Sequence, residues 1–241
     1  MRDGPDNAPF DPLFDRSGEY NAMLAKGLAL SGEDKGYFLR GRILDLRARL
    51  PAAFVPRRIL DFGCGLGDAS HFLAHAFPQA LVVGADLSEP TLEYARSHFS
   101  SERVTFCSIA ALGELPRFDL CYVNGVFHHI EAGKREGTME LLRALLHPAG
   151  HLAVFENNPW NPGARLVMWR IPFDRDAVPV SSPAMGRLLR SHFRVTSGPW
   201  FLFYFPSILK WLRAFEPGLA RWPLGAQYYW IATPLDARTA P

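Results

Sequence analysis

Three alternating glycines, Gly63, Gly65 and Gly67, lie between an apolar run and a segment with helical spacing. Glycine lets the backbone bend sharply there and lets a ligand lie against it without a side chain in the way. A dinucleotide fingerprint, G-x-G-x-x-G, would place its third glycine at position 68, where this chain has Asp68. Because a carboxylate at a helix start repels a pyrophosphate, the turn favours a ligand with positive charge and no phosphate.

Two acidic residues stand at the ends of the apolar runs around this turn. Asp61 precedes the glycines, and Asp86 ends the next run, 19 residues after Gly67. Asp61 is placed to hold an ammonium group, and Asp86 can accept hydrogen bonds from both hydroxyls of a ribose. Together with the turn, they predict an adenosyl ligand. S-adenosylmethionine (SAM) fits, since it carries a sulfonium and an ammonium but no phosphate.

Adjacent histidines, His128 and His129, follow the fourth apolar run. A histidine with a pKa near neutrality can take a proton from a hydroxyl or amine, so either one is a candidate general base. The alternative is structural, with one ring packed and the other bonded to a backbone carbonyl. Adjacent histidines are not the i, i+4 pair of a helical zinc site, so we expect no metal.

A polar segment after the fifth run supplies the candidate acceptor contacts, which are Glu156, Asn157, Asn158, Trp160 and Arg165. They lie at the edge where open α/β sheets bind ligands. Residues 157–183 are rich in proline and are expected to form a long loop. That loop is either a lid over a polar acceptor or a surface segment held by its own salt bridges.

The elements that must position these residues alternate along the chain between strand and helix patterns. Strands are expected at 57–62, 80–86, 103–109, 118–124, 151–156, 194–205 and 227–233. Helices are expected after Asp68 and Ser88, at 131–146, around 185–193 and at 207–219. This order predicts an α/β fold with a Rossmann-like, mostly parallel seven-stranded sheet and helices on both faces.

The first 50 residues precede that alternation. Residues 1–18 are expected to be a poorly ordered lead-in, followed by two helices between Glu19 and Leu50. We therefore divide the chain into an N-terminal lead-in with a helical cap, 1–50, and a Rossmann-like domain, 51–241.

The bulk composition excludes several classes of protein. The chain has 241 residues, a formal charge of +2 and no apolar run near the roughly 18 residues of a membrane span. A nucleic-acid partner and stable membrane insertion are therefore not expected. Three cysteines in apolar contexts and the absence of a signal-peptide pattern favour reduced thiols and a cytoplasmic location. The oligomeric state is left open.

Two segments resemble motif I and its acidic partner in the class I SAM-dependent methyltransferases: ILDFGCGLGDA at 59–69 and VVGADLS at 82–88. Two later segments, FDLCYVNGVFHHI and LLHPAGHLAVFENNPWNPGARLVM, are similar to a small-molecule subgroup associated with bacterial polysaccharide, lipid and natural-product gene clusters. The resemblance implies transfer of a methyl group from SAM to an oxygen, nitrogen or carbon of a small acceptor. The alternatives are a non-catalytic SAM-binding or partner-binding protein and an NAD-dependent oxidoreductase.

The resemblance also implies roles for particular residues. The glycine turn should cradle the methionine part of SAM, Asp86 should bind the ribose and Leu87 should pack on the adenine. No acidic residue ends the third strand, so Ser108 or a nearby backbone carbonyl must meet the adenine amino group. The full expected set of cofactor contacts is Asp61, Gly63, Cys64, Gly65, Gly67, Asp86, Leu87, Ser108, Ile109, Asn124, Gly125, Tyr20 and Tyr37.

Overall fold

The structure is a computed structural model that describes residue 23, residues 26–171 and residues 177–235. Its sheet has seven strands: β1 Arg58–Phe62, β2 Leu81–Asp86, β3 Val104–Ser108, β4 Phe118–Asn124, β5 Leu146–Asn157, β6 Phe193–Leu202 and β7 Gln227–Pro234. Their spatial order is β3-β2-β1-β4-β5-β7-β6. The first five strands are parallel, and β7 pairs antiparallel with both β5 and β6. The predicted Rossmann-like fold with a mostly parallel seven-stranded sheet is confirmed.

Among the described residues, seven α-helices with defined bounds flank these strands, and three of them begin at polar side chains that cap their first turn. The seven are α1 Lys35–Arg49, α2 Asp68–Ala76, α3 Glu89–Phe99, α4 Arg135–Leu145, α5 Pro162–Arg170, α6 Ser182–His192 and α7 Glu216–Leu219. Asp34 caps α1, Ser88 caps α3 as predicted, and Asn161 caps α5, each side chain accepting a hydrogen bond from a backbone N–H in the first turn. No helix among the described residues is both long and apolar enough to cross a membrane.

Two hydrophobic clusters cover the opposite faces of the sheet. Successive strand residues point to opposite faces, so Leu60 joins the cluster that contains Leu142 of α4. Its neighbour Ile59 joins the cluster that contains Leu46 of α1. The N-terminal helix α1 therefore packs into the same core as the sheet, and this contact fixes its side chains relative to the strand ends.

The prediction of a long loop at 157–183 is wrong. The described part of that segment contains α5 and the start of α6, and Ile171 at the end of α5 is buried. The prolines suggested a loop because proline interrupts a helix interior. Pro162 and Pro183, however, lie in the first turns of these helices, where a missing N–H removes no helical hydrogen bond. The acidic and basic residues at 174–176 lie outside the described residues.

Two other element boundaries differ from expectation. Strand β5 begins at Leu146, ahead of the expected start at 151, and its pairing with β4 shifts register between Phe118 and Leu120. The segment Ser207–Phe215 is a 3₁₀ helix interrupted by non-helical dihedral angles at Leu209, followed by α7. A continuous α-helix was predicted there.

Candidate active site

A cavity of about 1190 Å³ opens at the carboxyl ends of β1, β2, β4 and β5. Pockets for one drug-sized ligand usually measure about 300–1,000 Å³, so this one has room for more than one small molecule. Its wall includes the glycine turn and the end of β2. Residues of α1, α5 and β7 and the aromatic segment Phe203–Phe205 also contribute to it.

The glycine turn has the conformation that its sequence predicts. Gly63, Gly65 and Gly67 have φ angles of 72°, 52° and 89°, a region that side-chain-bearing residues rarely adopt. The N–H groups of Gly63 and Cys64 both donate to the carbonyl of Ala85, which ties the turn to the end of β2. A Cβ on Gly63 would lie 2.4 Å from Val126, whereas one on Gly65 would point into open space. Gly65 is therefore the point where a ligand can approach the backbone.

Asp86 at the end of β2 is held rigidly by backbone donors. Its Oδ2 accepts from the N–H of Gly65 at 2.9 Å, and its Oδ1 accepts from Leu87 and Ser88 at 2.8 and 3.0 Å. A carboxylate has about four lone-pair positions, so Oδ2 keeps acceptor capacity toward the cavity. Leu87 beside it also lines the cavity and is 55% exposed, which leaves an apolar surface for a flat ligand.

Asp61 at the end of β1 is a buried carboxyl on the cavity wall. Burial raises its pKa to about 7, and the nearby carboxylates of Asp86 and Asp68 add to the rise. A hydrogen bond that the hydroxyl of Ser70 donates to Oδ2 at 2.7 Å acts in the opposite direction. A cation in the cavity would favour the ionised form.

Asp68 begins α2 and forms an ion pair with Lys35 of α1, with 2.5 Å between Nζ and Oδ2. Both residues line the cavity. The carboxylate that the sequence placed at this helix start therefore also connects the N-terminal helix to the glycine turn.

His128 forms a buried dyad with Glu156. The Nδ1 atom of His128 lies 2.6 Å from Oε2 of Glu156, and Oε1 of the same carboxylate accepts from the backbone N–H of Phe127 at 2.8 Å. Both side chains are almost completely buried, but the His128 ring reaches the cavity wall. His129, which is half-buried, packs its ring 4.2 Å from that of His128, between centroids, and also lines the cavity.

Glu156 was expected to contact an acceptor. In the structure its two carboxylate oxygens instead form hydrogen bonds with the His128 ring and with the backbone N–H of Phe127. Residues 128 and 156 belong to different βα units, 28 positions apart. Only the parallel pairing of β4 with β5 brings them together, and the sequence carries no local signal of it.

The other predicted acceptor contacts divide between the cavity and the surface. Asn157 lines the cavity. Asn158 is buried and donates to the carbonyls of Pro223 and Gly225, so its side chain fastens one loop to another. Trp160 and Arg165 are exposed, and neither forms part of the cavity wall.

The remaining predicted cofactor contacts are also distributed unevenly. The wall includes Cys64, Ile109, Asn124, Gly125 and Tyr37, whereas Ser108 at the end of β3 lies outside it. Tyr20 lies outside the described residues.

A polar network in the cavity, which was not predicted from the sequence, begins at Arg42 of α1. Its Nε atom donates to the hydroxyl of Tyr122 at 3.2 Å, and its Nη1 atom donates to Oε1 of Gln227 at 2.9 Å. The amide of Gln227 in turn donates to Oδ1 of Asn157 at 2.9 Å. An arginine facing the buried side of a predicted helix was the only available signal.

Comparison with known proteins agrees with this fold. Residues 60–152 match the family model described as a methyltransferase domain. Trans-aconitate 2-methyltransferase of Methylobacterium nodulans is 34% identical over 128 residues, 51% of this chain and 47% of that protein. The enzyme of the same name from Paracidovorax citrulli is 33% identical over 153 residues, 60% of this chain and 56% of that protein. The chain thus spans about half the length of the curated relatives it matches.

Solved structures show the same architecture over most of the chain. Human N-acetylserotonin methyltransferase in complex with SAM aligns with a TM-score of 0.62 and 17% identity, covering 96% of this chain and 60% of that one. Magnesium protoporphyrin IX methyltransferase from Synechocystis, with bound S-adenosylhomocysteine (SAH), aligns with a TM-score of 0.61 and 16% identity, covering 92% of this chain and 96% of that one. Residues 60–152 thus match a methyltransferase domain, and the chain shares the fold of these SAM- and SAH-bound methyltransferases.

Proposed function

We propose that this protein transfers a methyl group from SAM to a small-molecule acceptor held in the same cavity. One observation carries the proposal: the glycine turn with Asp86 and the His128–Glu156 dyad face a single cavity that has room for two ligands. The matched methyltransferase domain supports it, because that domain contains the turn, Asp86 and His128.

The residues around the turn suit SAM in their chemistry. Gly65 leaves open space beside the backbone, Asp86 keeps an acceptor position on Oδ2, and Asp61 offers a buried carboxyl to a cation. When bound, SAM supplies a methyl group that its sulfonium already activates. The protein then has to hold the acceptor in line with that methyl group and exclude water.

His128 is proposed as the group that removes a proton from the acceptor. Glu156 can only accept hydrogen bonds when ionised, so Nδ1 of His128 must donate to it. The nitrogen able to take up a proton is then Nε2. The carboxylate also stabilises the imidazolium that forms, and Glu156 acts as a positioning residue through His128.

The acceptor is proposed to be a small molecule that is methylated on oxygen, nitrogen or carbon. Trans-aconitate 2-methyltransferases are among the relatives, and their name is compatible with a small organic acid as acceptor. Membership in a biosynthetic-cluster subgroup, a cytoplasmic location and the absence of a nucleic-acid partner stay predictions from the sequence.

Calorimetric titration of the full chain with SAM, SAH and NADH tests the cofactor. We expect micromolar binding of SAM and SAH and none of NADH. Transfer of label from methyl-labelled SAM to a panel of small acids, phenols and amines then tests the reaction. Binding of NADH in place of SAH would refute the proposal, and SAH binding with no transfer to any acceptor would indicate a non-catalytic SAM-binding protein.

A further inference from the structure

Four of the six tryptophans of the chain are exposed, and they lie on two neighbouring segments. The segments are residues 159–171, which contain α5, and residues 206–225, which contain the 3₁₀ helix and α7. Between 52% and 69% of each of these residues is exposed: Trp160, Trp169, Trp211 and Trp222. The other two, Trp200 and Trp230, are half-buried and buried in β6 and β7. Exposed groups of large apolar side chains mark sites of protein or membrane interaction.

The helices of these segments present apolar side chains to the solvent. On α5, Leu166 and Trp169 are three residues apart and exposed, whereas Met168 is buried. In the 3₁₀ helix, Ile208 and Trp211 are one turn apart and exposed. Three further exposed apolar residues belong to the second segment: Leu209, Phe215 and Leu224. A surface helix normally exposes polar residues, so the outer faces of these helices are unusual.

Contacts at both ends make the two segments neighbours on the surface. The side-chain amide of Asn161 donates to the carbonyl of Leu224 at 2.6 Å. At the other end, Ile171 and Ser207 both pack against the N-terminal segment 27–32. Both segments also contribute to the cavity wall. Their exposed side chains are called the apolar rim below.

The charged residues of the two segments are almost all basic. The chain has 26 basic and 24 acidic residues; five of the basic ones and one of the acidic ones lie in these segments, so the rest of the chain has 21 and 23. The five are Arg165, Arg170, Lys210, Arg213 and Arg221. The acidic residue, Glu216, accepts hydrogen bonds from the backbone N–H groups of Tyr204 and Phe205. The apolar rim is therefore the positively charged part of a chain that is otherwise slightly negative.

We propose that the apolar rim binds the surface of an anionic phospholipid bilayer. Its tryptophans and aliphatic side chains enter the boundary between headgroups and acyl chains, and its basic side chains pair with lipid phosphates. Membrane-surface elements combine Trp, Phe and Leu with Lys and Arg in this way. The contact is with the surface only, because α5 and the 3₁₀ helix have nine residues each and a span needs about 20. This inference goes beyond the proposed function and does not depend on it.

The composition of the rim favours a bilayer over two other partners. Single-stranded nucleic acids bind aromatic rings on which bases stack, but Leu166, Ile208 and Leu224 have no ring. The core of a protein interface is depleted in charged residues. In the rim, by contrast, the exposed Lys210 stands between the exposed side chains of Leu209 and Trp211.

Co-sedimentation of the full chain with lipid vesicles tests the proposal. One set of vesicles is phosphatidylcholine alone, and the other contains about 40% phosphatidylglycerol. We expect the native protein to partition at least tenfold more strongly onto the anionic vesicles at about 0.15 M salt, and more weakly at about 0.5 M salt. Brominated acyl chains in the anionic vesicles should quench the tryptophan fluorescence of the bound protein.

Two variants separate the apolar and the charged contributions. Ile208→Ser combined with Trp211→Ser should lower the partition coefficient about tenfold or more, because apolar area is no longer buried in the bilayer. Lys210→Glu should lower it about tenfold or more, since a charge near the anionic surface is reversed. Leu44→Ser and Arg47→Glu are the matched controls, at exposed positions of α1, and should leave it within about twofold. None of these side chains lines the cavity.

Four results would overturn the inference. The first is a native protein that stays in the supernatant, and the second is equal binding to the two kinds of vesicle. The third is a rim variant that lowers binding no more than its control, because another surface would then contact the lipid. The fourth is a different partner for the rim. Size-exclusion chromatography would reveal a dimer that the Ile208→Ser, Trp211→Ser variant dissociates, and competition with a DNA duplex would reveal tighter binding to nucleic acid than to vesicles.

Discussion

The carboxylates at the ends of β1 and β2 have different environments, although both end a strand beside the glycine turn. Asp86 accepts three backbone hydrogen bonds, which fix its orientation. Asp61 accepts one hydrogen bond from Ser70 in a buried position, and its pKa is raised to about 7. The first is suited to a neutral ribose, and the second to a cation that can hold it ionised.

Replacing Asp86 tests its proposed contact with the ribose. Asp86→Ala should weaken SAM binding by about 1–3 kcal/mol, because a charge-assisted hydrogen bond is lost and the turn loses one of its ties to β2, the bond from Gly65. Isothermal titration measures the change, with Glu93→Ala as the control, since Glu93 is an exposed carboxylate on α3. An unchanged affinity for SAM would refute the ribose role.

The raised pKa of Asp61 predicts a pH dependence of cofactor binding. An ionised Asp61 attracts the ammonium of SAH, so the affinity for SAH should increase as the pH rises from 6 to 8, through about 7. Asp61→Asn should remove this increase, which titrations at several pH values would reveal. A variant that keeps the full pH dependence would assign it to groups other than Asp61.

The raised pKa of Asp61 also makes the free energy of unfolding of the ligand-free protein depend on pH. The carboxyl of Asp61 ionises near pH 4 when unfolded and near 7 when folded, so between these values the folded state binds more protons. Its contribution to the free energy of unfolding therefore decreases as the pH rises from about 4 to about 7. In Asp61→Asn, urea unfolding should show a smaller decrease over this range.

Catalysis by His128 can be separated from cofactor binding. With an acceptor that must lose a proton, His128→Ala should lower kcat about 10²-fold or more while leaving the affinity for SAH unchanged. Glu156→Gln should lower kcat less and shift its pH profile, because the neutral amide no longer stabilises the imidazolium. His129→Ala is the matched control on the adjacent ring. If all three variants turn over as fast as the native protein, the reaction needs no base from the His128–Glu156 dyad.

At the scale of secondary-structure elements, the turn between β1 and α2 depends on glycine for two reasons. Gly67 combines a φ angle of 89° with close packing, since a Cβ there would lie 2.8 Å from the ring of Phe106. The positive φ angle is a local property, and the sequence pattern predicts it. The close packing depends on β3 lying beside the turn, which only the assembled sheet shows.

Gly67→Ala should lower the free energy of unfolding by about 2–4 kcal/mol, through the positive φ angle and the contact with Phe106. Gly113→Ala is the control, because Gly113 has no positive φ angle and no atom within 4 Å of its added Cβ. Urea unfolding of both variants measures the difference. A change of less than about 0.5 kcal/mol at Gly67 would contradict the strain argument.

For the whole molecule, the cavity joins elements from both ends of the chain. Residues of α1, the glycine turn, α5 and β7 all contribute to its wall, so a ligand there should stabilise the complete fold. SAH at 100 times its Kd should add about 2.7 kcal/mol to the free energy of unfolding. The corresponding rise in Tm is about 5–10 °C for a chain of this length. Differential scanning fluorimetry should show this shift with SAH and none with NADH, and the reverse result would favour a nicotinamide cofactor.

Much of the fold was accessible from sequence because the signals are local. The glycine turn follows from backbone sterics at three alternating positions, and the strand–helix alternation follows from the periodicity of apolar residues. Ser88 is a helix cap by its residue type alone. The error at 157–183 was also local, since proline can either interrupt a helix or begin one.

The sequence by itself determined the seven-stranded α/β fold, the glycine turn and the carboxylates Asp61 and Asp86, because each depends on residues close together in the chain. Only the tertiary structure decided that Glu156 holds His128, 28 residues away, and that Arg42 meets Gln227, 185 residues away. Such pairs depend on strand register and on how α1 packs across the sheet. These geometric relations arise from the cooperative burial of the whole core, and no short segment encodes them.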